Sequence, residues 1–477
     1  MCNEFDLTPC NNRASRLGLK SPHAALGLPY SRKTRPFFMT TLSYHLDRTT
    51  QTMALTLAIV TPTLAFYLPG WSSLVLYTLV LLSAISFTAS RGAMPAGTTP
   101  RRYWWPLLAA GVLFVAVTLI AQATHGSWHS SSFEKSMRTV CLLPVVLLYS
   151  KIPVERLKQI QWGFIAATWA GAWALVFPKA TFSPTGDAPA RPDTLAYTLY
   201  NTIGFANMMM LFASFTVASL FWHLTRYRRL ETALKLVTAG LGYYAMLLSQ
   251  TRTSLLAIPV FLVIALLVSP RLSRRTALFF VSTVIVVLTV LSTSSIVRER
   301  TDEAWREAVE CSHNPNTDTS ICIRFQLLRA AGTMFSENPW FGAGDGKLFD
   351  QNMQALADRG VISPVVAEGW GETHNDISYV AATYGIFGLV PFLLVLFAIP
   401  AFYLAAHVRR GPRACCRTAA AMGLLLVLGF LSFGLTEMMF RTMRTLSSYL
   451  LFVALFLALS SPRTGETTAR ISREPRA

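Results

Sequence analysis

A histidine placed where an apolar run begins is the first residue to carry a chemical reading. In Trp370-Gly371-Glu372-Thr373-His374-Asn375-Asp376, His374 stands just ahead of a hydrophobic stretch. An imidazole with an ordinary pKa of about 6.5 exchanges protons near neutral pH. Two readings are open: a proton-transfer group, or a hydrogen-bonding residue at a membrane boundary. Arg252 sits in the tight turn Ser249-Gln250-Thr251-Arg252-Thr253-Ser254 between two apolar runs. Its planar fork suits bidentate contact with an anionic, phosphate-like group, and its long stem equally suits lying along lipid with the head among lipid phosphates. Arg191, in Asp187-Ala188-Pro189-Ala190-Arg191-Pro192-Asp193, and Arg324 and Arg329, in an amphipathic stretch from Ile323 to Phe335, are further cations of this kind. The latter pair reads equally well as decoration of an exposed helix. The string Gly342-Ala343-Gly344-Asp345-Gly346 permits tight backbone turns. It is a weak phosphate loop, because it does not join a strand to a helix.

The elements that position these residues follow from composition. The chain has 477 residues, 52% of them hydrophobic and only 14% charged, with a formal net charge of +18. An average globular domain carries about 25% charged residues, so there is too little charge to cover soluble domains of this length. Strong basicity suggests nucleic acid, but a mean hydropathy of +0.42 points to lipid as the main surroundings and away from nucleic acid. A hydrocarbon core about 30 Å thick needs roughly 20 apolar helical residues, and about twelve such runs are present. They lie near 53–69, 71–89, 105–123, 137–150, 160–178, 202–224, 234–249, 254–269, 277–296, 376–407, 416–436 and 442–460. The tenth is long enough to be tilted, kinked at Pro391, or broken near Gly385 and Gly388.

Every second connection is rich in Lys and Arg: Arg91 to Arg102, Lys151 to Lys158, Arg226 to Lys235, Arg271 to Arg275 and Arg409 to Arg417. Such loops face the cytoplasm, and both termini join them. The other face receives His125 to Lys135, Pro178 to Asn201, Ser249 to Ser254, the long segment Val297 to Thr373 and a turn from Glu437 to Arg441. Residues 1–50 are polar, with no signal-peptide pattern, and read as a disordered cytoplasmic tail; Met39 is an alternative start. Residues 461–477 read as a second tail. Residues 51–296 are then spans one to nine, residues 297–373 an external loop with helices, and residues 374–460 the last three spans. Cys311 and Cys322, in the external loop, are open to pairing or to remaining free thiols.

Together the Ser-Gln-Thr-Arg-Thr-Ser turn, the late external loop with its Arg-helix-Asn-Pro-Trp-Phe-Gly-Ala-Gly segment, and the His374-Asn375 pair followed by Tyr384-Gly385-Ile386-Phe387-Gly388-Leu389 resemble the bacterial O-antigen ligase superfamily. The resemblance covers roughly Thr50 to Ser460, and the order and placement of the motifs make it specific. It implies an all-α polytopic membrane protein of about twelve transmembrane helices, similar to C-type glycosyltransferases, in the bacterial inner membrane with its site facing the periplasm. It implies glycan transfer from undecaprenyl diphosphate to a sugar hydroxyl on the lipid A core, without metal or other cofactor and with inversion. By the same resemblance His374 is the catalytic residue, and Arg252, Arg324 and, less securely, Arg191 bind the substrate diphosphate. Relatives that polymerise O-antigen or glycosylate proteins use the same donor; a transporter or lipid flippase is the reading from a different class.

Overall fold

The computed structural model describes residues 37–89, 104–176, 202–249, 251, 254, 257–268, 295–411 and 414–461. The chain divides into two units, Met1–Leu42 and Ser43–Ala477. Of the first unit the described residues are 37–42, the opening turns of helix α1 (Phe37–Tyr67). After it come α2 (Trp71–Ala89), α3 (Trp104–Thr124), α4 (Ser130–Val140), α5 (Leu142–Lys151), the short α6 (Val154–Leu157) and α7 (Ile160–Val176). Next are α8 (Thr202–Ala218), α9 (Arg228–Leu248) and α10 (Ala257–Val268). The long loop holds α11 (Ser295–His313), α12 (Ser320–Glu337), α13 (Lys347–Asp358) and α14 (Pro364–Gly369). Then follow α15 (Asp376–Leu393), a π-helical turn Leu394–Ala398, α16 (Ile399–Arg410), α17 (Ala414–Phe433) and α18 (Met443–Ser460). No strand occurs among the described residues.

Five helices are long and apolar enough to cross a membrane: Trp71–Ala89, Trp104–Thr124, Asp376–Arg409, Ala414–Phe433 and Met443–Ser460. A sixth is added if Ser130–Lys151 and Val154–Leu175, bent by 112°, form one broken span. The chain is thus a multi-pass membrane protein. Among the described residues this is fewer than the twelve expected. Helices do stand at most of the remaining expected positions, but α7 and α8 have 17 residues each and α10 has 12. The expected run at 277–296 lies, apart from its end, outside the described residues. The expected fourth and fifth spans are the two arms of the bend. Residues 37–50, expected in a disordered tail, are helical. Extending an existing helix costs little beyond its nucleus, and Asp47 is held by Ser86 Oγ and lies 3.8 Å from Lys151 Nζ.

The bundle centres on α17 and α18. Phe164, Phe212, Phe215, Phe452 and Phe456 pack their rings together between α7, α8 and α18, in edge-on, tilted and stacked pairs, and nearly all of α18 is buried. A smaller core holds the long loop together, with Leu327, Ala330 and Met334 of α12 against Phe349 and Met353 of α13, Val366 of α14 and Ala382 of α15. Cys311 and Cys322 form a disulfide that ties α11 to α12, with Cα atoms 5.4 Å apart.

The tenth apolar run is broken where the sequence allows it. Gly385 has φ 62° and ψ −162° in the middle of α15. Ala382 O and Thr383 O, which would accept from Ile386 and Phe387 in a continuous helix, instead accept from Ala343 N at 2.7 Å and Gly344 N at 3.3 Å. Ile386 N and Phe387 N donate to Pro339 O at 2.8 Å and Trp340 O at 3.3 Å. The Asn-Pro-Trp-Phe-Gly-Ala-Gly segment is therefore laid into the break, backbone on backbone. Glycine is required on both sides of that contact. A Cβ at Gly385 would meet the Trp340 carbonyl at 2.4 Å, and one at Gly342 would meet Thr383 C at 2.3 Å. Further along, Pro400 has no N–H to offer Leu396 O, and the Tyr449 hydroxyl of α18 donates to that carbonyl instead.

Candidate active site

His374 stands at the entrance to α15. Asn375 caps the helix, its side chain accepting from Ser378 N at 3.0 Å. The same entrance is fastened to the turn between α17 and α18: Asp376 N donates to Gly434 O, and the Asp376 carboxyl accepts from Met439 N at 3.0 Å and Phe440 N at 3.1 Å. His374 itself has φ 48°. Among the described residues it is the only one other than glycine with positive φ, a conformation that costs energy and persists when its surroundings enforce it. That backbone twist directs the ring back toward Trp370.

The Trp370 indole Nε1 donates to His374 Nε2 at 3.0 Å. An indole N–H only donates, so Nε2 carries the lone pair and the neutral ring holds its hydrogen on Nδ1. Nδ1 faces two carboxylates, Glu437 Oε2 at 3.5 Å and Glu372 Oε1 at 3.7 Å. Glu372 is in turn paired with Arg441, 2.7 Å away. Burial pushes the Glu372 carboxyl above the usual carboxylate range, and nearby Glu437 adds to the rise against the opposing pull of Arg441 and His374.

A second polar cluster lies on the same face of the protein. Asp345, from the glycine string, is buried and accepts from Tyr379 at 2.5 Å, from Tyr384 at 2.7 Å and from Ser132. His129 Nδ1 is 2.8 Å from Ser132 Oγ and 3.4 Å from Asp345 Oδ2. Burial works against the charge on Asp345, but the bonds from His129, Ser132 and the two tyrosines outweigh it and hold the carboxyl well below its usual range. Hydrogen bonding to Asp345 raises His129 in return. Gly346, at φ 62°, lies under the His129 ring, where a Cβ would sit 3.0 Å from an imidazole carbon. The glycine string thus cradles a carboxylate and an imidazole. Lys135, on α4, is within electrostatic reach of Asp345, Asp376, Glu372 and Arg441, so it lies between the two clusters. Among the described residues no group of His, Cys, Asp or Glu is arranged to hold a metal ion.

Residues 236–393 match the family model described as O-antigen ligase. Over that segment, about a third of its length, the chain is similar to the O-antigen ligase family. No curated protein matches the chain significantly. The O-antigen ligase match runs from α9 to the end of α15, and so takes in the Ser-Gln-Thr-Arg-Thr-Ser turn, the whole external loop, the helix break and His374.

Within the O-antigen ligase segment the expected site residues fare differently. His374 lies among ionisable partners, as described. Arg324 is exposed on α12 and makes no ion pair with a described residue, and no contact joins it to His374. Arg329 is tied to Asn316 and Val361 O. Arg252 lies outside the described residues, as does Arg191, which precedes the segment. Four groups at the site escaped sequence reasoning: Trp370, Glu437, Arg441 and the Asp345–His129 pair. Arg441 had one visible signal, an arginine in a short turn on the cation-poor face. Glu437 and Trp370 had none, because only the folded turn at 434–440 and the backbone twist at His374 bring them together.

Proposed function

We propose that this protein is an O-antigen ligase: it transfers a polysaccharide from undecaprenyl diphosphate to a sugar hydroxyl of the lipid A core at the periplasmic face of the inner membrane. The observation that carries the reading is His374, set within the family segment with Nδ1 toward two carboxylates and Nε2 as its basic atom. An imidazole oriented at one nitrogen by acids accepts a proton at the other. The acceptor hydroxyl attacks the anomeric carbon as its proton passes to His374 Nε2, and the bond to the diphosphate oxygen breaks with its electron pair. A single displacement of this kind inverts the anomeric centre, and this chemistry calls for no metal or other cofactor. Guanidinium groups stabilise the departing diphosphate. Arg252, Arg324 and Arg191 are assigned that role by the resemblance, and Arg441, 63% exposed and two contacts from the imidazole, joins them on position.

The topology proposed alongside is of about twelve spans with both termini cytoplasmic and the loop at 297–373 in the periplasm. Three segments expected on one face, His125 to Lys135, the long loop and Glu437 to Arg441, meet around the site, which supports it. The Cys311–Cys322 disulfide is at home in an oxidising compartment. Purified protein given lipid-linked O-antigen and lipid A core should form the joined product, and His374→Ala should fold and lose transfer by about 10²- to 10⁴-fold. Near-normal ligation by that variant would remove His374 from the mechanism. A product longer in glycan but not joined to lipid A core would reassign the protein to the polymerising relatives.

A further inference from the structure

We propose that Trp370 is a positioning residue that occupies the acceptor's place on His374 and keeps water from using the base; the proposal rests on the transferase reading above. His374 Nε2 is the atom that takes the proton, and in this structure it accepts the Trp370 indole N–H at 3.0 Å. An acceptor O–H must approach the same lone pair from the same direction to give up its proton. The indole and the acceptor hydroxyl are therefore mutually exclusive, and Trp370 must withdraw before transfer. Two features fit a side chain built to exchange. Trp370 is half-buried against the edge of the loop core, not fixed in its centre. It also lies between Gly369, at the end of α14, and Gly371, and glycine is the residue that restricts backbone rotation least.

The consequence is selectivity for acceptor over water. If water reached Nε2, its oxygen would attack the anomeric carbon, its proton would pass to His374, and undecaprenyl diphosphate would leave with the bonding electron pair, releasing free glycan. A water molecule brings almost no other contact with which to displace an indole, whereas a core oligosaccharide brings many. Trp370 yields to the second and excludes the first.

The test uses the full chain in nanodiscs with lipid-linked donor, comparing wild type with Trp370→Phe, which keeps a ring and deletes the N–H. Without acceptor, the variant should release free glycan roughly 3- to 10-fold faster than wild type, the scale of one neutral hydrogen bond. Equal hydrolysis would overturn the role of Trp370 while leaving the transferase reading intact. A wild type that turns over no donor with any acceptor would instead sink that reading. Should the variant not fold, ¹⁵N-histidine spectra of the wild type decide: an unprotonated Nε2 on His374 supports the contact, and an Nε2–H tautomer overturns it.

Discussion

Two imidazoles on one polar face are held by opposite means. His129 is drawn toward its charged form by Asp345, whereas His374 accepts the Trp370 indole N–H at Nε2. The carboxylate that governs the first makes a sharp prediction. Asp345→Asn leaves the donors from Ser132, Tyr379 and Tyr384 facing a neutral amide, and should cost about 3 kcal/mol of stability at pH 7. The folded pKa of Asp345 is depressed, so its stabilisation is present above the ordinary carboxylate value and is lost as pH falls through the folded one. The gap between wild type and Asp345→Asn in detergent melting curves should therefore narrow in strong acid. His129, with a raised pKa, adds stability below about pH 6.5 that fades as pH rises through its folded value, so the gap should narrow on the alkaline side as well. Sequence reading found His374 because an ionisable residue directly before an apolar run is conspicuous. It treated Asp345 as one letter of a glycine string, since no local pattern says that a carboxylate will meet tyrosines at positions 379 and 384.

At the scale of elements, the break in α15 is the device that joins loop to membrane helix. Gly385 and Gly388 marked it in the sequence as a place of weakness; that the Pro339 to Gly344 backbone would fill it was not legible, because the pairing is between main-chain atoms. Gly385→Ala should be severely destabilising, by about 3 kcal/mol or more, since the new methyl would lie against the Trp340 carbonyl at a backbone angle that suits only glycine. Gly332→Ala is the matched control. That position is inside α12 with open space where its Cβ would be, and helix propensity favours alanine there by about 0.5–1 kcal/mol. Thermal unfolding of both variants should separate a contact required by geometry from a general sensitivity to added methyl groups.

For the whole molecule, the long apolar runs gave most helix positions, because lipid demands such runs and confines the charge between them to the ends. Among the described residues length alone does not mark a crossing where an apolar run folds into a shorter or sharply bent helix, as at the 112° turn between Ser130–Lys151 and Val154–Leu175. Orientation is open to direct measurement. Single cysteines placed at Arg441 and at Arg156, in protein lacking the other cysteines, should react with a membrane-impermeant maleimide from the periplasm only at 441; labelling at 156 would reverse the topology. The helix break has a further consequence for how the chain is made. Residues 339–344 leave the ribosome before residues 376–393, so the peptide groups of the loop are unpartnered when the later segment arrives. That segment, unpaired at Ala382, Thr383, Ile386 and Phe387, enters the bilayer with a gap in its own ladder. Each therefore completes the other, and insertion of this span and closure of the loop become one cooperative event in biogenesis.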